Sequence, residues 1–203
     1  MPIVTMRANL TDSDIRTLIK GPTEEDRAQA AHKICRCIDE GTLSAEERVH
    51  AAGILEVMAQ DAAVLVRRAL AVALKNSPKL PREIANKLAR DVDSIALPIV
   101  LNSPALTDAD LVEIVRACPP AKQIAVACRE TLSTTVTGAI AKYAIQEAVG
   151  RALANDNAEF DEDGLDTTLD RFAGVSAITA QMVHRNELPL AITEKLVSLV
   201  AGE

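Results

Sequence analysis

His32, Cys35 and Cys37 are the residues whose types and spacing come closest to a metal site. On a helix, His32 and Cys35 would share a face, because residues three apart are neighbours. Cys37 would point about 200° away from Cys35, at roughly 100° per residue, so the two thiolates cannot readily bind one ion. Cys118 and Cys128 lack the C-x-x-C spacing of metal and redox motifs. We therefore expect no metal site and four reduced thiols with structural roles.

The sequence contains no motif typical of nucleophilic catalysis or of nucleotide binding. The three histidines, His32, His50 and His184, lie in unrelated helix-like segments without a nucleophile elbow. Neither of the phosphate-binding patterns G-x-x-x-x-G-K-[ST] and G-x-G-x-x-G occurs. The sequence therefore predicts no catalytic residue and no cofactor.

Charge is unevenly distributed along the chain. Residues 61–90 contain seven basic and two acidic residues, whereas residues 155–172 contain seven acidic residues and one basic residue. Either the two segments form a ligand surface with opposite charges, or acids crowd helix starts while basic residues cover solvated faces. The candidate partner-binding patch comprises Arg67, Arg68, Lys75, Arg82, Lys87 and Arg90, and the candidate acidic patch comprises Asp161, Glu162, Asp163 and Asp166.

The elements that must position these residues follow a repeat. The pattern N-S-P-x-L at 76–80 returns 26 residues later at 102–106, and a further 26 residues reach Leu132. Phe160 and Leu188 continue the series at a spacing of 28. Each repeat is predicted to hold one helix before this corner and a second helix after it, because proline stops the first helix. A recurring period of this length indicates a helical array.

Local signals also predict where helices start. Thr107 and Ser44 are expected N-caps followed by acidic residues, and 10–15 repeats the arrangement. Helices are predicted over 24–41 and 44–60, and the first repeat helix over 61–75. In that helix two adjacent apolar rows predict a broad buried face: Val66, Leu70 and Leu74, and Leu65, Ala69 and Ala73.

The composition fits closely packed helices and disfavours some partners. The chain is 48% hydrophobic with only three aromatic residues, and its net charge is -7. The acidic balance opposes binding to phosphate backbones and to anionic membranes. The sequence starts without an apolar signal core, and no apolar run reaches the eighteen or so residues of a membrane span. We expect a soluble, cytoplasmic protein.

Residues 61–74 resemble the HEAT-like motif, in which an acidic turn precedes V-R and an Ala/Leu-rich helix. Residues 66–117 resemble the bacterial domain of unknown function 2336, a likeness that continues more weakly to about 199. The resemblance implies an all-α fold, a right-handed α-solenoid of HEAT-like two-helix repeats, and implies no catalytic residues. We expect a helical hairpin region over 1–60, continuous with repeats over 61–203, with corners at about 76–80, 102–106, 128–132, 156–160 and 184–188.

Three functions follow as expectations. The first is a non-catalytic module that binds a protein or peptide along the groove of its second helices. The alternatives are a nucleic-acid-binding protein such as a HEAT-like DNA glycosylase, and a small-molecule or chromophore lyase or chaperone. The last helix has few polar residues, so we also expect it to pack against a second copy through Leu196 and Leu199, or against a further segment of chain.

Overall fold

The structure is a computed structural model that describes residues 11–185 and 188–201. Across these residues the chain is helical and contains no extended strand, so the prediction of an all-α fold is confirmed. Short connections join the helices α1 (Asp12–Lys20), α2 (Glu24–Glu40), α3 (Ala45–Ala59), α4 (Val64–Leu74), α5 (Arg82–Ala89), α6 (Asp93–Asn102), α7 (Asp108–Ala117), α8 (Pro120–Ala127), α9 (Thr134–Tyr143), α10 (Gln146–Leu153), α11 (Glu162–Phe172), α12 (Ser176–Val183) and α13 (Leu190–Ala201).

Side-chain caps start several helices at the residues that the sequence predicts. Thr11, Ser44 and Thr107 each accept a hydrogen bond from the backbone N–H three residues on. The carboxylate at that third position accepts one in return from the backbone N–H of the capping residue. Two N–H groups that a helix start leaves unpaired are thus satisfied each time. Leu10, the apolar partner expected before Thr11, lies outside the described residues.

A buried serine shapes the turn in both N-S-P-x-L corners. Ser77 and Ser103 are 3% and 0% exposed. Each hydroxyl accepts a hydrogen bond from the backbone N–H two residues on, at 3.2 and 3.3 Å. This local bond offers the chain an alternative to continuing the preceding helix. The turn in each corner is therefore stabilised by a residue of the motif itself, the buried serine.

The residues that anchor the predicted repeat all lie in connections between helices. Leu80, Leu106 and Leu132 are buried, whereas Phe160 and Leu188 are half-buried. Each follows one helix and precedes the next, from the α4–α5 connection to the α12–α13 connection. Part of the last corner, residues 186–187, lies outside the described residues.

The chain divides into two compact units, Met1–Leu106 and Thr107–Glu203. In the first unit α4 packs between α2 and α6, while α3 packs against α4 and α5. The described part of 1–60 therefore shares a core with the first repeat helix. The largest fully buried side chains of this core include Ile34, Leu55, Leu70, Leu88 and Ile99.

Helix α4 buries a narrower face than its sequence predicts. Val66, Leu70 and Leu74 are each 0% exposed, as a row at spacing four should be on the buried side. The adjacent row starts at Leu65, which is 37% exposed, and continues in two half-buried alanines. One row is thus core, and the other lies at the edge of the core.

In the second unit α9 packs between α7 and α11, and we call these three helices the second-helix layer. Helix α10 packs between α8 and α12 in the other layer. Ser133, which caps the start of α9, donates a hydrogen bond to Asp108 at the start of α7 (2.6 Å). At the other end Arg171 of α11 donates to the carbonyls of Ala141 and Ala144 at the end of α9. The start of α9 is thus bonded to the start of α7, and the end of α9 is bonded to α11.

Backbone hydrogen bonds also join two successive corners of this unit. The N–H of Leu132 donates to the carbonyl of Asn157 (3.4 Å), and the N–H of Glu159 donates to the carbonyl of Leu132 (2.9 Å). The side-chain amide of Asn155 donates to the carbonyl of Arg129 (2.8 Å). Equivalent turns of adjacent helix pairs are thus in register with each other.

Candidate functional site

Arg67, the first residue of the predicted basic patch, serves the protein's own structure. Its guanidinium makes two parallel hydrogen bonds to the Asp91 carboxylate, from Nε at 2.6 Å and from Nη2 at 3.0 Å. Its Nη1 donates to the carbonyls of Asp61 and Ala62, at 2.7 and 3.1 Å. Both charged side chains are only 16% exposed, and the bond to Asp91 raises the pKa of Arg67. This arginine holds the start of α4 to the connection before α6.

The other residues of that patch are more accessible to solvent, and two of them interact with side chains of the protein itself. Lys87 pairs with Glu56 at 3.2 Å, and Arg90 donates to the side-chain and main-chain oxygens of Asn86. Arg68 and Arg82 are exposed, and Lys75 is half-buried. A partner-binding role for the patch as a whole stays a prediction, and Arg67 contributes least to it.

The predicted acidic patch lies around the start of α11. Asp161 is the N-cap and accepts a hydrogen bond from the N–H of Gly164 (2.8 Å), while Glu162 and Asp163 occupy the first turn. Negative charge is favourable there because a helix start carries partial positive charge. Asp166 forms an ion pair with Lys195 of α13. These contacts give each acid a role in the helix or its packing, and any ligand role is additional.

Helix α13 presents a different surface from the one predicted for self-association. Leu196 is 4% exposed, so it belongs mostly to the core of the unit and offers little area to a surface that pairs two copies. Leu199 is 38% exposed, and Leu190 and Val197 are more exposed, at 75% and 62%. A groove of about 640 Å³ runs between α12 and α13 and includes Val183 and Leu199 among its lining residues.

The cysteines and histidines do not gather into a metal site. Cys35 is fully buried with its Sγ atom 3.8 Å from the sulfur of Met58, whereas His32 is exposed. Burial raises the pKa of the Cys35 thiol to about 12. No group of three histidine, cysteine or acidic side chains that could hold a metal occurs in the part of the chain that the structure describes.

A groove of about 500 Å³ in the first unit was not evident from the sequence. Its walls come from the end of α2, from α3 and from the first N-S-P-x-L corner. They include Ile38, Leu43 and Leu55. Lys79 lines one side but donates to the carbonyls of Ile38, Asp39 and Gly41, which it caps at the end of α2. Arg48 lines the other side, and only its Nε atom has a hydrogen-bond partner among the described residues, the carbonyl of Leu43 at 3.3 Å.

The most distinctive surface lies where the helices of the second-helix layer end. Tyr143, the only tyrosine of the chain, is 41% exposed there. The Arg116 guanidinium lies 5.1 Å from the centre of its ring, and the Lys142 ammonium lies 5.5 Å from it. Both distances suit a cation–π interaction. We call Arg116, Lys142 and Tyr143 the Tyr143 cluster.

Sequence reasoning missed this cluster although one signal for it was visible. Arg90, Arg116 and Lys142 follow one another at the 26-residue spacing of the corners. A basic residue therefore occurs at the same position near the end of three successive second helices. What the spacing does not reveal is that the ring of Tyr143 lies against cations from two different helices.

In class, the molecule is an all-helical protein of paired helices, and no helix in its described residues is long and apolar enough to cross a membrane. The model of the family described as uncharacterised protein conserved in bacteria, DUF2336, matches residues 95–203, which is more than half of the chain. The protein belongs to this family. The resemblance stated from the sequence is thereby confirmed, although the match starts later than residue 66. No curated protein and no solved structure matches the chain significantly.

Proposed function

We propose that the protein is a non-catalytic repeat module of the bacterial cytoplasm, a HEAT-like α-solenoid that binds another protein or a peptide. The binding surface is the solvent-facing side of the second helices, foremost the second-helix layer α7, α9 and α11. Stacked helix pairs offer such a surface by construction, because each repeat contributes one outward helix face.

The observation that carries this proposal is the exposure of Tyr143 beside Arg116. Tyrosine and arginine are among the residues most enriched at energetic hot spots of protein interfaces. Tyr143 leaves 41% of its surface to solvent in a chain that has only three aromatic residues. Ile145, two residues further on, is 36% exposed. An exposed aromatic ring beside an arginine and an exposed aliphatic side chain fits a protein partner.

A photo-cross-linking experiment tests the proposal. Replacing Thr135, an exposed residue of α9, by p-benzoylphenylalanine in bacterial cells should give discrete cross-linked products with other proteins. The same replacement at Ala177, an exposed residue of α12 in the other layer, is the matched control. Equal product patterns at the two positions would contradict a binding role for the second-helix layer.

The groove beside Arg48 supports a second candidate, binding of a small apolar molecule with a carboxylate. Its volume of about 500 Å³ lies in the range of ligand sites, and none of the described residues that line it is acidic. Dodecanoate is a suitable probe and should raise the unfolding temperature of the protein but not of Arg48→Ala. An equal or absent shift in both would exclude this candidate.

A further inference from the structure

We propose that the Tyr143 cluster binds an acidic segment of the partner protein, with Arg116 and Lys142 contacting carboxylates and Tyr143 contacting an apolar residue beside them. This inference rests on the proposed function and names the chemistry of the partner.

The charges of the cluster are available to a ligand. Among the residues that the structure describes, no carboxylate or carbonyl oxygen bonds to Arg116 or Lys142, and their contact is with the Tyr143 ring. Two residues of the predicted basic patch, by contrast, bind acids of the protein itself: Arg67 binds Asp91, and Lys87 binds Glu56. The two cations of the cluster therefore keep charge that a partner can use.

The ring holds these cations in place before a ligand arrives. Arg116 comes from α7, and Lys142 and Tyr143 come from the end of α9, so the ring joins the two adjacent helices. A side chain already placed loses less conformational entropy on binding. The guanidinium of arginine is also a flat fork that matches both oxygens of one carboxylate.

Arg171 adds positive charge to the same end of the layer. It donates to the carbonyl of Ala144, the residue that follows Tyr143, at 2.9 Å, and its guanidinium lies 4.6 Å from the Phe172 ring. Desolvation lowers the pKa of Arg171. Part of its hydrogen-bonding capacity is used within the protein. Arg171 should therefore attract an acidic ligand through its positive charge more than through direct hydrogen bonds.

An acidic peptide fits this surface better than a nucleic acid does. The basic end of the layer consists of few residues, whereas the opposite end carries Asp108, Glu162 and Asp163 in first turns of α7 and α11. The exposed acids Glu113 and Asp170 lie on the same helices. A long polyanion would meet these carboxylates and a net charge of -7. A short segment with a few carboxylates meets fewer of these acids, although Glu113 lies one turn before Arg116 and lines the same surface depression.

Selection from a phage-displayed library of random dodecapeptides tests the inference. Enriched peptides should be rich in Asp and Glu and contain an apolar residue next to an acid. A fluorescein-labelled copy of the strongest peptide, measured by anisotropy, should bind Arg116→Glu/Lys142→Glu at least about ten-fold more weakly than the unaltered protein, because two attractive charges become repulsive. Tyr143→Ala should weaken binding about five-fold, and added salt should weaken binding to the unaltered protein.

Arg151→Glu is the matched control. Arg151 is an exposed arginine of α10, in the other layer, and pairs with Glu147 of the same helix at 3.7 Å. Unchanged binding in that variant, with helical circular dichroism equal in all proteins, would support the assignment. Enriched peptides that are not acidic, or that bind the double variant equally well, would overturn the inference while leaving a peptide-binding function intact. A library that enriches no peptide would contradict the proposed function itself. Preferential binding of labelled single-stranded oligothymidine over the acidic peptide would also overturn the inference.

Discussion

Replacement of Arg67 by alanine should destabilise the first unit strongly, although this residue looks like a surface cation in the sequence. The substitution removes two hydrogen bonds to Asp91 and two to main-chain carbonyls. It also leaves the Asp91 carboxylate, which is 16% exposed, without its main partner cation.

The magnitude follows from the burial of the pair. Breaking a fully buried ion pair costs about 3–5 kcal/mol, whereas an exposed pair contributes about 0–1 kcal/mol. At 16% exposure for both partners the pair lies nearer the buried case, so we expect a loss of about 2–3 kcal/mol. Arg67→Lys keeps the charge but not the planar fork, and it should lose about 1–2 kcal/mol.

Urea unfolding followed by circular dichroism measures this loss. With a urea dependence of about 2 kcal/mol per molar, the midpoint of Arg67→Ala should fall by about 1–1.5 M. Arg68→Ala, an adjacent and exposed residue of the same helix, is the matched control and should change the midpoint little. In a double-mutant cycle with Asp91→Ala, the two losses should be strongly non-additive. A loss below about 0.5 kcal/mol, equal to that of Arg68→Ala, would refute the structural role of Arg67.

Four further predictions test other parts of the structure. Leu132→Ala should lower the free energy of unfolding by about 2–4 kcal/mol because Leu132 is 3% exposed, whereas Leu199→Ala should cost little; equal losses in chemical unfolding would argue against the corner as a core position. Hydrogen bonds from Lys33 and Thr11 lower the pKa of Asp14 to about 2 from 3.8, so its stabilising contribution is present above 3.8 and lost as pH falls through about 2. Asp14→Asn should therefore flatten the acid limb of stability measured by urea titration, and an unchanged limb would speak against the Lys33 contact. Under native conditions at pH 8, Cys128 should react with a thiol reagent and Cys35 should not, because Cys35 is buried with a pKa of about 12; mass spectrometry that finds Cys35 modified before unfolding would disprove its burial. Self-association through the exposed residues of α13 predicts a dimer in light scattering that Val197→Glu/Leu199→Glu converts to a monomer, and a monomeric unaltered protein would end that idea.

Local chemistry explains why the helices and corners could be predicted from the sequence. Thr11, Ser44 and Thr107 bond to groups three residues away, and Ser77 and Ser103 bond to groups two residues away. Interactions of this range are contained in a short window of residues. Two corners repeat the same local serine bond, and the spacing of the corners then predicts the order of helices.

The candidate sites were harder to predict because their partners are distant in sequence. Arg67 binds Asp91, which lies 24 residues away and just beyond the segment counted as basic. Counting the charges of 61–90 therefore included Arg67 as a cation free to bind a partner, although it is paired with Asp91. Tyr143 lies 27 residues from Arg116, and only the packing of α7 on α9 brings them together.

The sequence pattern also could not predict which side of α13 faces the core. Leu196 and Leu199 belong to one apolar segment, and periodicity alone assigns both to its apolar side. Packing against the preceding helices buries Leu196 and leaves Leu199 38% exposed. Which apolar residues become core depends on the neighbours that the fold supplies.

The most direct test of the binding surface is a titration of the 15N-labelled protein with the strongest acidic peptide from the display selection, followed by two-dimensional NMR. We expect the largest chemical-shift changes on residues around Arg116, Lys142 and Tyr143, at the ends of α7 and α9. Changes concentrated on α8, α10 and α12, or on the groove beside Arg48, would contradict the assignment of the second-helix layer as the binding surface.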